Sequence, residues 1–343
     1  MDVQRAAAMN VVVTGMGRSG TSAVAHALGL LGFDVGPFGA SMAADEFNAT
    51  GYWEVPELSD FNDALLKRAG GSWSAPPRVV GSEPEPGDPM AEAARERFAH
   101  CFPGSAPWVW KDPRLCLTLP FWRQILDPPL AVVAMLRHPV AVAQSLAHRD
   151  HAERDYARAM WERYTRSLVA SAQGLPTIFV DYNQLVGDPT KVMRQLAAWL
   201  RVDPSRVPAA AESIRSDLSH YVGDDALLSD AERALWGFMR DQIGFHATLS
   251  ASPSGPESPW LQLTFDEHAR AQQIIRSFRL DRAALQESLA ALDYRRSETE
   301  AELGEVRLRL NQILESRTWR RLSSLRRLYL RLGGGRSRQA SGQ

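Results

Sequence analysis

Residues 11–32 read VVVTGMGRSGTSAVAHALGLLG, and no other stretch of the 343-residue chain limits the fold as much. Three valines and a threonine make a continuous apolar run of strand type. Gly15, Gly17 and Gly20 follow within a few positions, and a helical pattern of small residues begins at Thr21. A strand that turns through glycines into a helix aims several backbone N–H groups and the positive end of the helix dipole at one point. That point suits an anion. Gly17, Arg18, Ser19, Gly20, Thr21 and Ser22 are the candidate binders, with the Thr21 and Ser22 hydroxyls as added donors.

The spacing follows G-x-x-x-x-G-K-[ST], with Gly15, Gly20 and Ser22 in register and Thr21 where the lysine belongs. The only cation in the turn is Arg18. A nucleoside triphosphate with magnesium calls for that lysine and for an acid ending a neighbouring strand. The apolar run Leu130–Leu136 ends in Arg137 instead. A second cation there favours a ligand with an extra phosphate, handled without a metal. An unusual P-loop kinase or NTPase is the rival reading.

Further buried-strand runs are Trp108–Trp110 and Thr177–Val180. Helical patterns alternate with the strands over residues 21–31, 57–69, 89–101, 139–148 and 154–172, and continue over 189–201 and 229–244. This order predicts a doubly wound, three-layer α/β domain on a parallel sheet, P-loop NTPase-like, over residues 1–249. Residues 79–89, rich in proline, glycine and acid, read as an exposed loop, and 250–261 as a linker.

Beyond the linker one long helical period takes over, which reads as a long C-terminal helix or coiled coil over 262–315. Ile275, Phe278, Leu285, Leu289, Leu292, Leu303, Val306, Leu310 and Ile313 fall on alternating steps of three and four. Arg282, Arg296 and Thr299 interrupt the seam. Such a helix is about 80 Å long at about 1.5 Å per residue. The seam either packs on its own domain or associates with a second copy. Residues 316–343 hold eight arginines and no acid, leaving −9 for the rest of a chain whose formal charge is −1. Trp319, Leu322, Leu325, Leu328, Tyr329 and Leu332 share a stripe beside those arginines. That pattern fits a helix on an anionic membrane surface better than a nucleic-acid arm, and no nucleic-acid partner is expected.

Hydrophobic content of 45% and charged content of 23% are ordinary for a globular chain and argue against disorder. Two cysteines, Cys101 and Cys116, offer neither a disulfide framework nor metal-ligand spacing. They read as buried small hydrophobes in a reducing compartment. The opening MDVQRAAAMN lacks a signal peptide's apolar core, and no apolar run is long enough to span a bilayer. The expected location is cytoplasmic, with the basic tail as a candidate peripheral contact on the inner face of a membrane.

TGMGRSGTS, then KDPR, then LRHPVAVAQSLAHR resembles the sulfotransferases that use 3′-phosphoadenosine 5′-phosphosulfate, in their bacterial and glycan-directed branches. The likeness covers roughly residues 10–200. It implies that the first motif binds the 5′-phosphosulfate, with Arg18 steadying charge near the transferred group. It also implies that Arg137 and Ser145, eight residues apart, bind the 3′-phosphate. VDYNQLVGDP places Tyr182 at the family's tyrosine position, where an ordinary half-buried tyrosine is an equal alternative. The resemblance implies a carbohydrate hydroxyl as acceptor and a glutamate as base.

Glu54, in NATGYWEVPELSDFNDALL, is the best candidate base, with Glu57 and Asp60 as competitors or as caps for the following helix. Tyr52 and Trp53 beside it are candidate sugar-stacking groups. WVWKDPRL puts Lys111 and Arg114 at the sheet edge, where they would add positive charge near the sulfate or acceptor. Asp112 could pair with Arg114 and only shape the turn. His26 and His148 sit in no recognisable acceptor motif. ILESRTWRRLSSLR resembles the C-terminal tails of bacterial glycosyltransferases and other surface-polysaccharide enzymes, which implies a surface or lipid-linked glycan and a membrane-side address. A scaffold with an inactive domain is the remaining alternative.

Overall fold

The computed structural model describes residues 9–37, 51–78, 84, 87–215, 221–253 and 255–332. The loop expected over 79–89 and the end of the tail, 333–343, fall largely outside them. In chain order the elements are β1 (Asn10–Thr14), α1 (Thr21–Leu30), α2 (Pro56–Arg68), α3 (Pro89–Cys101), β2 (Val109–Lys111), α4 (Leu115–Trp122), β3 (Leu130–Leu136), α5 (Pro139–Asp150) and α6 (Arg154–Ser171). Then come β4 (Thr177–Asp181), α7 (Tyr182–Gly187), α8 (Pro189–Leu200), α9 (Val207–Glu212), α10 (Asp230–Asp241), β5 (Gly244–His246), α11 (Leu261–Glu315) and α12 (Arg317–Arg331).

The described strands form one sheet in the order β2-β1-β3-β4-β5. The first four run parallel, with Val12 opposite Trp110 on one side and Val132 on the other, and Val133 opposite Ile178. Only β5 is antiparallel, pairing Ile178 with Phe245. Alternation along the strands divides the core. Val12, Val132, Ala134 and Phe179 face a layer that includes α2, α4, α6 and α10, whereas Val11, Val133, Met135 and Val180 face α1, α8 and α9. This is the three-layer α/β arrangement expected. The differences are local. The pattern over 229–244 stops as a helix at Asp241, and the three residues after Ile243 add the edge strand β5. Helix α4 was not anticipated because Pro120 lies inside it.

Segment 250–261 is tied to the domain. Ser258 is buried, its backbone N–H and hydroxyl both donating to Glu162, and Arg166 donates to the carbonyls of Gly255 and Pro256. Leu261 and Phe265 of α11 are buried, and the first compact unit extends to Arg270, past the expected boundary at 249. The second unit, Ala271–Gln343, holds the remainder of α11 and α12. A hydroxyl cap at Ser316 accepts from the Trp319 N–H and starts the second helix. No helix among the described residues is long and apolar enough to cross a membrane.

Candidate active site

A pocket of about 400 Å³ opens at the C-terminal ends of the parallel strands, where ligands of open α/β sheets bind. Every parallel strand delivers residues to it: β1 the glycine turn, β2 Lys111, β3 Arg137 and β4 Tyr182.

Close packing explains the turn. Gly15 has φ 144°, and a Cβ there would meet the Met135 carbonyl oxygen at 2.5 Å, so β1 leaves the sheet flush against β3. Gly20 has φ 89°, and a Cβ would strike the Tyr182 ring at 2.7 Å. Gly17 has open space around it and lines the pocket. Arg18 is left-handed at φ 70°, a conformation that costs a non-glycine residue about 1 kcal/mol or more and that clusters at functional loops.

That conformation brings Arg18 to α5. Its Nε donates to Ser145 Oγ at 3.0 Å, while Arg137 Nη1 donates to the Arg18 carbonyl at 2.8 Å. The Arg137 guanidinium lies over the Tyr182 ring, 4.1 Å from its centroid. Its Nε is buried without a hydrogen-bond partner. Burial is the main cause that lowers the pKa of both Arg18 and Arg137. Arg149 adds to the effect on Arg18, and Arg18 to that on Arg137. Desolvated cations repelling one another, one with an unmet donor, form a site that gains from an anion.

Glu54 stands on the wall before α2. Its Oε1 accepts from Lys111 Nζ at 2.5 Å, and its Oε2 from Arg114 Nη1 at 3.3 Å. Lys111 also donates to the Tyr52 carbonyl at 2.9 Å, and Ser22 Oγ donates to the same carbonyl at 3.0 Å. Arg114 bridges further, to Asp63 at 2.7 Å and to Asp112 at 3.2 Å. Burial alone would lower its pKa, but Asp112, Asp63 and Glu54 outweigh that and raise it. Asp112 shapes the turn: its carboxylate accepts from Ser59, Asn62 and the Arg114 backbone and side chain. Asn62 is fixed in turn by Thr118 and Trp122, each donating at 2.8 Å.

The family model described as "Sulfotransferase family" matches residues 10–205, the segment that carries this wall from the glycine turn through Tyr182. The chain belongs to the sulfotransferase family. Among solved structures, the sulfotransferase resembles the sulfotransferase domain of the Synechococcus PCC 7002 olefin synthase, with 17% identity over 77% of this chain and 94% of that one and a TM-score of 0.38. It also resembles the sulfotransferase domain from the curacin biosynthetic pathway, with 13% identity, 78% and 99% coverage and a TM-score of 0.35. Sulfotransferase STF1 from Mycobacterium tuberculosis H37Rv matches with 16% identity, 61% and 72% coverage and a TM-score of 0.35. Among curated proteins, no sequence matches the chain.

Of the residues singled out from the sulfotransferase's sequence, Gly17, Arg18, Gly20, Thr21, Ser22, Tyr52, Glu54, Lys111, Arg114, Arg137, Ser145 and Tyr182 line this one pocket. Ser19 is buried beneath the turn and is not in the lining. Trp53 departs from expectation. It takes a left-handed conformation, φ 57°, and its ring stacks on His26 at 4.5 Å rather than lining the pocket. Glu57 and Asp60 do not line it either. The exposed indole that does is Trp73, its carbonyl anchored by the Tyr164 hydroxyl at 2.8 Å. Arg149, His148, Arg215 and Tyr221 join the lining unanticipated. For Arg149 a signal existed: it lies four residues after Ser145 on α5, hence on the same helical face.

Proposed function

We propose that this sulfotransferase uses 3′-phosphoadenosine 5′-phosphosulfate as donor and a carbohydrate hydroxyl as acceptor. The observation that carries the reading is the half-buried Arg18 beside the buried Arg137, two desolvated cations, with the unpaired Arg137 Nε, in the same pocket as Glu54. A donor with phosphate at two positions would satisfy that cluster. Gly17 to Ser22 and the start of α1 would take its 5′ end, and Arg137 with Ser145 and Tyr182 its 3′-phosphate. Ser22 gives up its bond to the Tyr52 carbonyl in doing so.

The donor supplies the sulfuryl group and leaves as adenosine 3′,5′-bisphosphate. Glu54 accepts the acceptor's hydroxyl proton as the oxygen–sulfur bond forms. Lys111 and Arg114 hold that carboxylate in position, and Lys111 with Arg18 adds positive charge where the departing phosphate oxygen gathers its electron pair. Tyr52 and the exposed Trp73 provide aromatic surface for a sugar ring. At the strand ends nearest the turn stand Arg137 and Asp112, the latter already turned onto Ser59, Asn62 and Arg114.

The acceptor we favour is a surface or lipid-linked glycan. Helix α12 supports this, with Trp319, Leu322, Leu325 and Leu328 exposed, arginines beside them and no acid. Such a helix would hold the enzyme against an anionic membrane and raise the local concentration of an embedded substrate.

Competition between adenosine 3′,5′-bisphosphate and ADP with magnesium tests the donor. The bisphosphate binds in preference on this reading, whereas preference for ADP overturns it. Incubation of labelled donor with a lysate of the host then identifies the acceptor, and a labelled product that is not a glycan removes the carbohydrate assignment.

A further inference from the structure

Beyond its first turns, α11 has no buried residue, yet the apolar residues of its seam from Ile275 to Ile313 are 42–68% exposed. An apolar stripe of this length on a helix calls for a partner. With Ile275 as the first core position of a heptad, the flanking charges follow a definite order. Arg295 and Glu302 precede core layers, while Glu300 and Arg307 follow them.

We propose that α11 pairs with α11 of a second copy of this chain as a parallel, in-register coiled coil. In that arrangement each flanking residue meets the one five positions later on the other helix. Arg295 then meets Glu300 of the second copy, Glu302 meets Arg307, and no like charges are juxtaposed at these flanks. Arg282, in a core layer, lies beside Asp281 of the second copy. Arg296, also in a core layer, is drawn outward to Glu300 of its own chain at 2.9 Å. The antiparallel arrangement with the same core layers brings Arg279 against Arg307, and sets Asp293 and Arg295 each against itself. Charge therefore selects the parallel form. The two polar layers at Arg296 and Thr299 also fix the register, because a slip of one heptad buries Arg296 against leucine.

Light scattering on the full chain gives the mass of two chains on this proposal, with or without ligand. Orientation is read from Leu292→Cys under mild oxidation. Identical core positions face each other only in the parallel register, so the thiols crosslink the dimer, and the native Cys101 and Cys116 are buried. Arg295→Glu weakens dimerisation by roughly tenfold, and adding Glu300→Arg restores it. A single-chain or three-chain mass overturns the proposal. So does a dimer in which Leu292→Cys fails to crosslink while Leu292→Cys with Arg296→Cys succeeds. If Arg295→Glu leaves the dimer unweakened, the charge argument fails and the parallel register loses its basis.

Discussion

Arg18 Nε and Ser145 Oγ are joined by a 3.0 Å hydrogen bond between positions 127 residues apart. The bond ties the turn after β1 to the helix after β3, so residues assigned to opposite ends of a donor share one contact. Arg137 closes the loop by donating to the Arg18 carbonyl.

Arg137→Ala is expected to weaken adenosine 3′,5′-bisphosphate binding by about tenfold to a hundredfold, the scale of a lost hydrogen bond to a charged group. Arg137→Lys recovers little of it, because an ammonium lacks the planar fork and the stack over Tyr182. Calorimetric titration measures both. Wild-type affinity in the lysine variant would contradict the role given to the guanidinium.

Glu54→Gln is expected to lower kcat by about 10²–10⁴-fold with little change in donor affinity, as for loss of a general base. The amide oxygen accepts from only one of Lys111 and Arg114 and the NH2 faces the other, so the melting temperature is the control for folding. An unchanged kcat in a folded variant would move the base elsewhere in the pocket.

The glycines separate folding from binding. Gly15→Ala puts a methyl against the Met135 carbonyl in a left-handed backbone and should cost about 1–3 kcal/mol of stability. Gly17→Ala meets nothing within 4 Å and should fold normally, yet it places a methyl in the pocket and weakens the bisphosphate. Thermal melts and titrations on the two variants test the contrast.

Burial is the main cause that pushes the Cys116 thiol up to about 12 and the Cys101 thiol up to about 11. Both therefore stay neutral in the folded protein at neutral pH. Iodoacetamide should label neither until denaturant is added. The folded-state values lie above the ordinary 9.0, so their contribution to stability is full below that pH and is lost as pH rises towards 11 and 12. Melting temperatures across that alkaline range should fall accordingly.

Helix α12 should carry the full chain to vesicles containing phosphatidylglycerol and not to phosphatidylcholine alone, with binding reduced by salt. Arg320→Glu with Arg321→Glu should abolish flotation and leave bisphosphate binding unchanged. Equal flotation on both lipids would remove the electrostatic role.

The parts legible in the sequence were those that short spacings encode. The strand, turn and helix at residues 11–32 and the Arg137 and Ser145 pair each lie within one supersecondary unit, and all reach the pocket. Glu54 was singled out because the family resemblance implies a glutamate base after the first helix, and it lies in the pocket. What escaped depended on distant contacts. Trp53 turns away through a left-handed backbone onto His26, and Trp73 takes its place only because Tyr164 on α6 anchors it. The pairing of Arg114 with Asp112 was one of two readings of KDPR, but its bonds to Asp63 and Glu54 join segments distant in the sequence. β5 is three residues long, and its pairing with β4 leaves no periodicity to read.

The Tyr52 carbonyl receives Lys111 from one strand end and Ser22 from the first helix, so both of its lone pairs are engaged. The main chain of that wall is thereby clamped, while its aromatic side chain faces the pocket. Replacing the ring at position 52 would therefore reshape the aromatic wall of the pocket and release Arg149, its side-chain partner, while leaving both main-chain bonds in place.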